Sequence, residues 1–231
     1  MNRNALSIVI FAGCLSVSAQ QKGHPDYYSR LDVYHFREDE SLNQPIDFEN
    51  PDYLRLNAAI FFATNEQRLQ RKLHLLSYSA QLEETASMHS ADMLEKNFFG
   101  HVNPDNRKKR TPNDRARLSG ILNPYLTENI ATSFGLKYEQ NRDVVVKGPG
   151  RFSYPGEPEL ISPRTYLSVA DALLKNWMNS EGHKRNILSD DALQLGCGTY
   201  MYLDTGFNMM PTFIATQNFQ EYENINTSTR K

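Results

Sequence analysis

Three dipeptides in this chain place ionisable side chains where chemistry is possible: Gly100-His101, Glu128-Asn129 and Gly182-His183. The first and third follow predicted helices, and the second precedes a predicted strand. Ends of regular elements are where a rigid scaffold displays functional groups. The most informative segment is NWMNSEGHKRNIL, residues 176–188, because its pattern predicts a helix end that presents His183 among polar side chains.

Two imidazoles and one carboxylate form a ligand set for a zinc-like ion that keeps an open position. His101, His183 and Glu128 are far apart in sequence, and a chain with six His offers many such trios. Spacing alone therefore makes a metal site a weak hypothesis. The sequence has no H-E-x-x-H helix, so no self-sufficient catalytic motif supports a hydrolase.

Composition limits the classes of function. The 231-residue chain is 39% hydrophobic and 23% charged, which is ordinary for a globular protein with a real core. The net charge of −2 gives no electrostatic case for nucleic acid. One basic run, residues 107–110, has no interleaved aromatic residues, so we interpret it as a solvated loop.

Residues 1–19 have the pattern of a secretory signal peptide, with Arg3, a short apolar stretch and small residues before a cut after Ala19. The alternative is a lipoprotein signal with a lipid anchor on Cys14. Either signal predicts a secreted or cell-envelope (periplasmic) protein, and no other segment reads as a transmembrane span. After cleavage only Cys197 would remain, so we expect no internal disulfide and a small buried thiol.

The periodicity predicts helices first and strands last, which indicates an α+β fold. We predict helices at residues 52–71 and 81–96, a helix that begins at Thr111-Pro112 and another that begins at Ser162-Pro163 and ends near Ser180. The expected strands lie at residues 195–202 and 212–219. The remaining segments are an irregular extension (20–51), an insert with a hairpin (137–161) and a tail from residue 221 that we expect to fray.

These parts, in this order, resemble the CAP superfamily (cysteine-rich secretory proteins, antigen 5 and pathogenesis-related proteins) in its bacterial SCP-like branch. The resemblance covers about residues 53–219, and we assign the domain to 52–220. Each motif is weak alone, but the ordered set is specific. The motifs are Asn65-Glu66-Gln67-Arg68, the segment 86–93, Phe99-Gly100-His101, the segment 111–115, Glu128-Asn129-Ile130-Ala131, the segment 177–188, Leu195-Gly196-Cys197-Gly198 and Thr216-Gln217-Asn218-Phe219.

The resemblance implies a three-layer α-β-α sandwich with a central antiparallel sheet and a cleft lined by two His and two Glu. His101 and His183 match the two His, and Glu128 matches one Glu. At the position of the second Glu this chain has Ser180, and Glu181 is its neighbour. A shift of one residue turns a side chain by about 100° on a helix, so Glu181 compensates only if the helix ends early.

The resemblance leaves three functions open. The first is a binding module in which His101 and His183 hold zinc or another divalent metal, and an extracellular lipid, glycan or protein docks there. In it Glu128 is either the third ligand or an acceptor that orients a bound water. The second is a metal-dependent hydrolase with Glu128 as base. The third is an envelope-associated protein with a vestigial cleft. We favour binding, because the missing second Glu weakens hydrolysis more.

Other polar residues have structural alternatives. His89 lies on an apolar helix stripe, so we interpret it as a core His and give it only a minor place, with Asn129, among the cleft residues. Glu128 could instead be a structural acceptor for His101 or for backbone N–H groups. We expect Arg115 to pair with Asp114, and Asn186 to form a cap or turn.

Overall fold

The computed structural model describes residues 8–9 and 26–227. The predicted signal peptide, apart from residues 8–9, and the alternative anchor at Cys14 lie outside the described residues. Within those residues, no helix combines the length and the apolar character that a membrane crossing needs.

A five-stranded mixed sheet forms the centre of the molecule, and its main strands are antiparallel. β6 (Ala192–Asp204) pairs with β7 (Met210–Glu221), which pairs with β3 (Leu126–Phe134). Two short strands add to the other side of β6: β1 (Ile8–Val9) antiparallel and β2 (Ser77–Tyr78) parallel. β3 is therefore the last strand on its side of the sheet, as far as the structure describes the chain.

Register divides the site residues between the two faces of the sheet. Glu128 is opposite Asn218, and Asn218 is opposite Gly196. One residue along, Asn129, Gln217 and Cys197 align in the same way. Because successive side chains in a strand point to opposite faces, the Glu128 row and the Asn129 row lie on different sides.

Helices cover both faces and give the three-layer α-β-α sandwich that the family resemblance implies. α3 (Ala80–Glu95) packs on β6 and β7, with α4 (Pro112–Leu118) beside it. On the opposite face lie α2 (Tyr53–Leu69), α5 (Tyr166–Met178) and the short α6 (Glu181–Ile187). The core is largest in this second layer, where Trp177, Phe213 and Phe219 are fully buried.

The N-terminal extension, as far as it is described, docks on the second helical layer. It contains α1 (Tyr27–Arg30), and it buries Phe36, Leu42 and Ile46 in the main core. Tyr28 also donates a hydrogen bond to the buried carboxylate of Glu83 in α3. Burial raises the pKa of Glu83 to about 7, although hydrogen bonds from Tyr28 and Tyr78 act in the opposite direction.

Two expectations about helix and chain ends are corrected. The helix after the insert starts at Tyr166, because Thr165 and Ser168 form a reciprocal capping box, whereas Pro163 bridges to Leu136. The tail does not fray within its described part, since Ile225 and its neighbours bond back to the domain. The Thr111 cap of α4 is a capping box with Asp114, as Thr111-Pro112 predicts.

The insert folds as a hairpin that packs against the body. β4 (Val145–Gly148) and β5 (Arg151–Ser153) are antiparallel. Phe152 is fully buried and packs in one cluster with Leu136 and Met210. One face of the hairpin is therefore buried in a hydrophobic cluster with residues of the domain.

α3 lies unusually close to β6, and two glycines make this possible. A Cβ added at Gly196 would lie 2.1 Å from the backbone nitrogen of Glu83, and one at Gly198 would lie 2.1 Å from that of Ser87. Real Cβ atoms do not approach backbone this closely, so α3 would have to move away from the sheet. Any side chain at these positions displaces the helix that precedes His101.

We predict that Gly196→Ala and Gly198→Ala each lower the free energy of unfolding by about 2 kcal/mol or more, because the backbone of α3 cannot yield as a side chain can. Gly182→Ala is the matched control: nothing lies within 4 Å of its added Cβ. In α6 it should be neutral or stabilising by up to about 1 kcal/mol. Urea unfolding measures all three, and equal midpoints for Gly196→Ala and the wild type would contradict the close approach.

Candidate functional site

The predicted site residues meet around the edge strand β3. Glu128 faces the α3 layer, and His101 lies on the loop that follows α3. His183 comes from α6, in the opposite layer. The rings of His101 and His183 nevertheless approach each other, with centroids 6.5 Å apart. The edge of the sheet lets groups from two separate layers share one site.

Glu128 is a buried carboxylate with all of its charge compensated. Its Oε1 accepts a hydrogen bond from Nδ1 of His101 at 3.0 Å, and its Oε2 accepts one from Nη2 of Arg115 at 2.6 Å. Asn218 donates to Oε2 at 3.0 Å when its amide is oriented so that its oxygen also accepts from the backbone of Ala86. Burial would raise the pKa of Glu128, but the hydrogen bond from His101 and the charge of Arg115 outweigh it and lower the pKa.

Arg115 connects the loop that carries His101 to the strand that carries Glu128. Its side chain is fully buried. Besides Glu128, its guanidinium donates to the backbone carbonyls of His101 at 3.3 Å and Lys109 at 3.0 Å. The expected pairing with Asp114 is wrong, because the Asp114 carboxylate accepts from Thr111 at the helix cap. Arg115 thus fixes the position of His101 through backbone contacts.

His89 lies in the core behind Glu128. Its Nε2 is 3.0 Å from the carbonyl oxygen of Gly100, so Nε2 carries the proton and donates to that carbonyl. Oε1 of Glu128 lies 3.5 Å from the same nitrogen. Burial lowers the pKa of His89 to about 4, and Arg115 adds to this effect. His89 is therefore neutral at pH 7 and holds the residue before His101.

On the other face, amides attach α6 to the sheet edge. Asn129 donates to the carbonyl of His183 at 3.1 Å, and Asn186 donates to Oδ1 of Asn129 at 2.8 Å and to the carbonyl of Glu128 at 3.3 Å. Asn176 donates similarly to the carbonyl of Thr132 at 3.1 Å. The expected role of Asn186 as a cap or turn former is wrong, because its side chain bridges α6 and β3.

The segment around His183 differs from the predicted helix end. Ser180 occupies the N-cap position of α6 without a side-chain cap bond, and Gly182 and His183 lie inside this helix. His183 is half-buried, and burial lowers its pKa, with a further contribution from His101. Glu181 is exposed and borders a separate cavity with Lys184. Glu181 therefore does not join the His101–His183 pair.

The geometry does not fit a three-ligand metal site. The described residues contain no group of three or more His, Cys, Asp or Glu side chains placed to hold an ion. Glu128 is committed to Arg115, His101 and Asn218, which leaves two imidazoles. His101 keeps Nε2 free, because Glu128 accepts from its Nδ1. The arrangement therefore presents two imidazoles, and the tautomer of one of them, His101, is fixed by Glu128.

Sequence reasoning missed that Arg115 and Asn218 belong to the site. Arg115 is fully buried and Asn218 is fully buried, yet both are polar and occur in the quoted motifs. Buried polar groups need partners, so each was a signal that a buried charge lies nearby. The sequence alone does not say which charge, because the partner Glu128 is on another element.

Comparisons with known proteins agree with this architecture. The family model described as "CAP: Cysteine-rich secretory protein family" matches residues 61–219. The chain is 26% identical over 151 residues to the Bacillus subtilis protein YkwD, which covers 65% of this chain and 44% of YkwD. It is 28% identical over 135 residues to the Bacillus subtilis membrane protein YlbC, which covers 58% of this chain and 29% of YlbC.

One solved structure is similar along most of the chain. It is an extracellular protein containing an SCP domain from Bacillus anthracis str. Ames, with a TM-score of 0.50 and 25% identity. The match covers 77% of this chain and 45% of that one. This chain therefore spans less than half the length of each of these three relatives.

We predict that Glu128 and Arg115 are strongly coupled. Glu128→Gln and Arg115→Met should each cost about 3–5 kcal/mol of unfolding free energy, because each leaves a buried partner uncompensated. The double variant should cost less than the sum. Urea unfolding of the cycle measures this, and additive costs would contradict it. Arg117→Met, an exposed arginine of the same helix, is the control and should cost under about 1 kcal/mol.

A second prediction concerns pH. Neutral His89 contributes stability that is present above pH 6.5 and is lost as pH falls towards about 4. Protonated Glu83 contributes stability that is present below pH 4.5 and is lost as pH rises through about 7. Each contribution is about 3 kcal/mol. Because their signs are opposite, the wild type should have a shallow profile of unfolding free energy between pH 4 and 7.

Single substitutions should reveal the two slopes. In Glu83→Gln the remaining His89 makes the unfolding free energy rise with pH across this window. In His89→Asn the remaining Glu83 makes it fall. Urea unfolding at several pH values tests both, and parallel profiles for the two variants would show that neither group titrates as assigned.

Proposed function

The chain belongs to the CAP, or cysteine-rich secretory protein, family, and on that basis we propose that it is an exported binding module whose His101–His183 pair docks an extracellular ligand. Export is supported by the pattern of residues 1–19 and by the relative from Bacillus anthracis, which is described as extracellular. The ligand classes that the family resemblance offers are a lipid, a glycan or a protein.

The burial and the hydrogen bonds of Glu128 are the reason that we propose binding and not hydrolysis. A general base needs a free lone pair within reach of the proton it removes and a pKa near the working pH. Glu128 is 7% exposed, its two oxygens accept from His101, Arg115 and Asn218, and its pKa is lowered. These features suit a structural anchor for His101 and do not suit a base.

We propose that His101 and His183 would hold a divalent ion, with zinc as the natural choice. A bound ion would supply a Lewis-acidic docking point for an oxygen of the ligand. Glu128 fixes the tautomer of His101 by accepting from Nδ1, so that the lone pair of Nε2 would be available to an ion. The lowered pKa of His183 keeps its ring neutral, which ligation requires.

Zinc titration tests this proposal. We expect one zinc site per chain at pH 7.5, and affinity that falls at least about tenfold in His101→Ala and in His183→Ala. Affinity should also weaken as the pH is lowered, because protons compete with the ion for the imidazole nitrogens. His35→Ala is the control, since His35 is an exposed histidine of the extension. Isothermal titration calorimetry measures all four proteins.

Two results would contradict the proposal. Equal zinc affinity in the wild type, His101→Ala and His183→Ala would remove the imidazole pair as the metal site. Cleavage of a peptide library by the zinc-loaded wild type, lost in His101→Ala, would show that the site is catalytic.

A further inference from the structure

A cavity borders α6, and neither His101 nor His183 is among its lining residues. It has a volume of about 650 Å³ and lies between α6 and the ends of β3 and β7. This volume is in the range of small-molecule sites, about 300–1,000 Å³. The residues of its wall that matter here are Glu181, Lys184, Arg185, Asp191, Glu221 and Tyr222.

The charged side chains of this wall carry both signs and, within the described part of the chain, have no ionic partners. Among the described residues, none of Glu181, Lys184, Arg185, Asp191 and Glu221 forms an ion pair, although both signs line the cavity. The cavity thus combines hydrogen-bond donors with acceptors. A ligand that both donates and accepts hydrogen bonds fits such a wall better than an anion or a cation does.

Glu221 is the strongest single signal. It is only 7% exposed and borders the cavity. Among the described side chains, Thr127 is its one donor, through a long hydrogen bond of 3.5 Å to Oε1. A buried carboxylate normally has several donors, because burial without them is costly. The cavity side of Glu221 is therefore where further donors would come from.

One aromatic side chain, that of Tyr222, borders the cavity. Tyr222 lines it and contacts Tyr125 edge to face, with ring centroids 4.8 Å apart. The two residues are 57% and 55% exposed, so both rings keep a large surface open to solvent beside this mutual contact. Tyr222 also has a left-handed backbone, φ 65°, held by its N–H bond to the carbonyl of Asp191 at 2.9 Å. Such strain in a bulky residue is typical of functional positions.

The floor of the cavity is held by a buried arginine. Arg68 of α2 is fully buried and donates to the carbonyls of Ile187 and Ser189, at 2.9 and 2.8 Å. These bonds fix the chain between α6 and β6, which carries Asp191. The wall is therefore positioned in advance, which lowers the entropic cost of binding.

We propose that this cavity is a carbohydrate-binding site for a short, uncharged segment of an extracellular glycan. The ring of Tyr222, supported by its contact with Tyr125, provides an apolar face for the C–H surface of a sugar ring. Glu221 and Asp191 accept from sugar hydroxyls, and Lys184 and Arg185 donate to them. The site is separate from the imidazole pair and requires no metal.

NMR titration of the ¹⁵N-labelled protein with chitotetraose, cellotetraose and maltotetraose, each up to about 10 mM, tests the proposal at the weak end of specific affinity. We expect at least one of them to bind, with shift changes concentrated at residues 181–191 and 221–222. A tetrapeptide, Ala-Glu-Lys-Ala, represents the peptide alternative and should cause no such changes.

Variants then assign the binding to the cavity. Tyr222→Gly removes the ring and relieves the left-handed backbone, so it should fold at least as well as the wild type while binding at least about tenfold more weakly. Glu221→Gln should weaken binding without loss of the fold, as circular dichroism can check. Tyr34→Ala, which removes an exposed tyrosine of the extension, is the control and should bind as the wild type does.

Several results would overturn the proposal. They are no shift change with any of the three tetrasaccharides, shift changes located elsewhere, or binding of the tetrapeptide alone. Unchanged affinity in both Tyr222→Gly and Glu221→Gln would also overturn it.

Discussion

The buried ion pair between Arg115 and Glu128 is the interaction on which the site depends. Both side chains are almost completely removed from water. A lone carboxylate at this depth would be protonated or would destabilise the fold, and a lone guanidinium would be still more costly. Together they neutralise each other, and the remaining donors of Arg115 reach the backbone of the loop that carries His101. The need to neutralise the buried charge of Glu128 places Arg115 where its guanidinium also holds the loop after α3.

The two faces of β3 have different roles in positioning the two histidines. Glu128 and its partners set the tautomer and position of His101, while Asn129 and Asn186 set the position of α6 and thus of His183. Neighbouring residues of one strand therefore control two groups that belong to opposite layers. The edge of the sheet is the place where such groups can meet without crossing the core.

The sequence predicts the layers better than it predicts the site. Helices α2 and α3 and strands β6 and β7 lie within three residues of their predicted bounds, because each is a long segment with many apolar residues. α6 has only 7 residues, and contacts with β3 stabilise it. A helix this short has a weak local pattern, so the sequence predicts only that the preceding helix ends near Ser180 and not that a new helix begins there. The predicted partner of Arg115, Asp114, is wrong for a similar reason. A sequence shows which residues are adjacent in the chain, but it does not show that Glu128 lies next to Arg115 in the fold.

The amides that hold α5 and α6 have a consequence for solubility. β3 ends the sheet in the described part of the chain, and such a strand exposes carbonyls that invite pairing with another molecule. Asn186 and Asn176 occupy two of these carbonyls, those of Glu128 and Thr132. The side chains that organise the site thereby also shield the open strand. Substitutions of Asn186 or Asn176 made to alter binding would expose these carbonyls again. The exposed strand would then be a template for edge-to-edge aggregation.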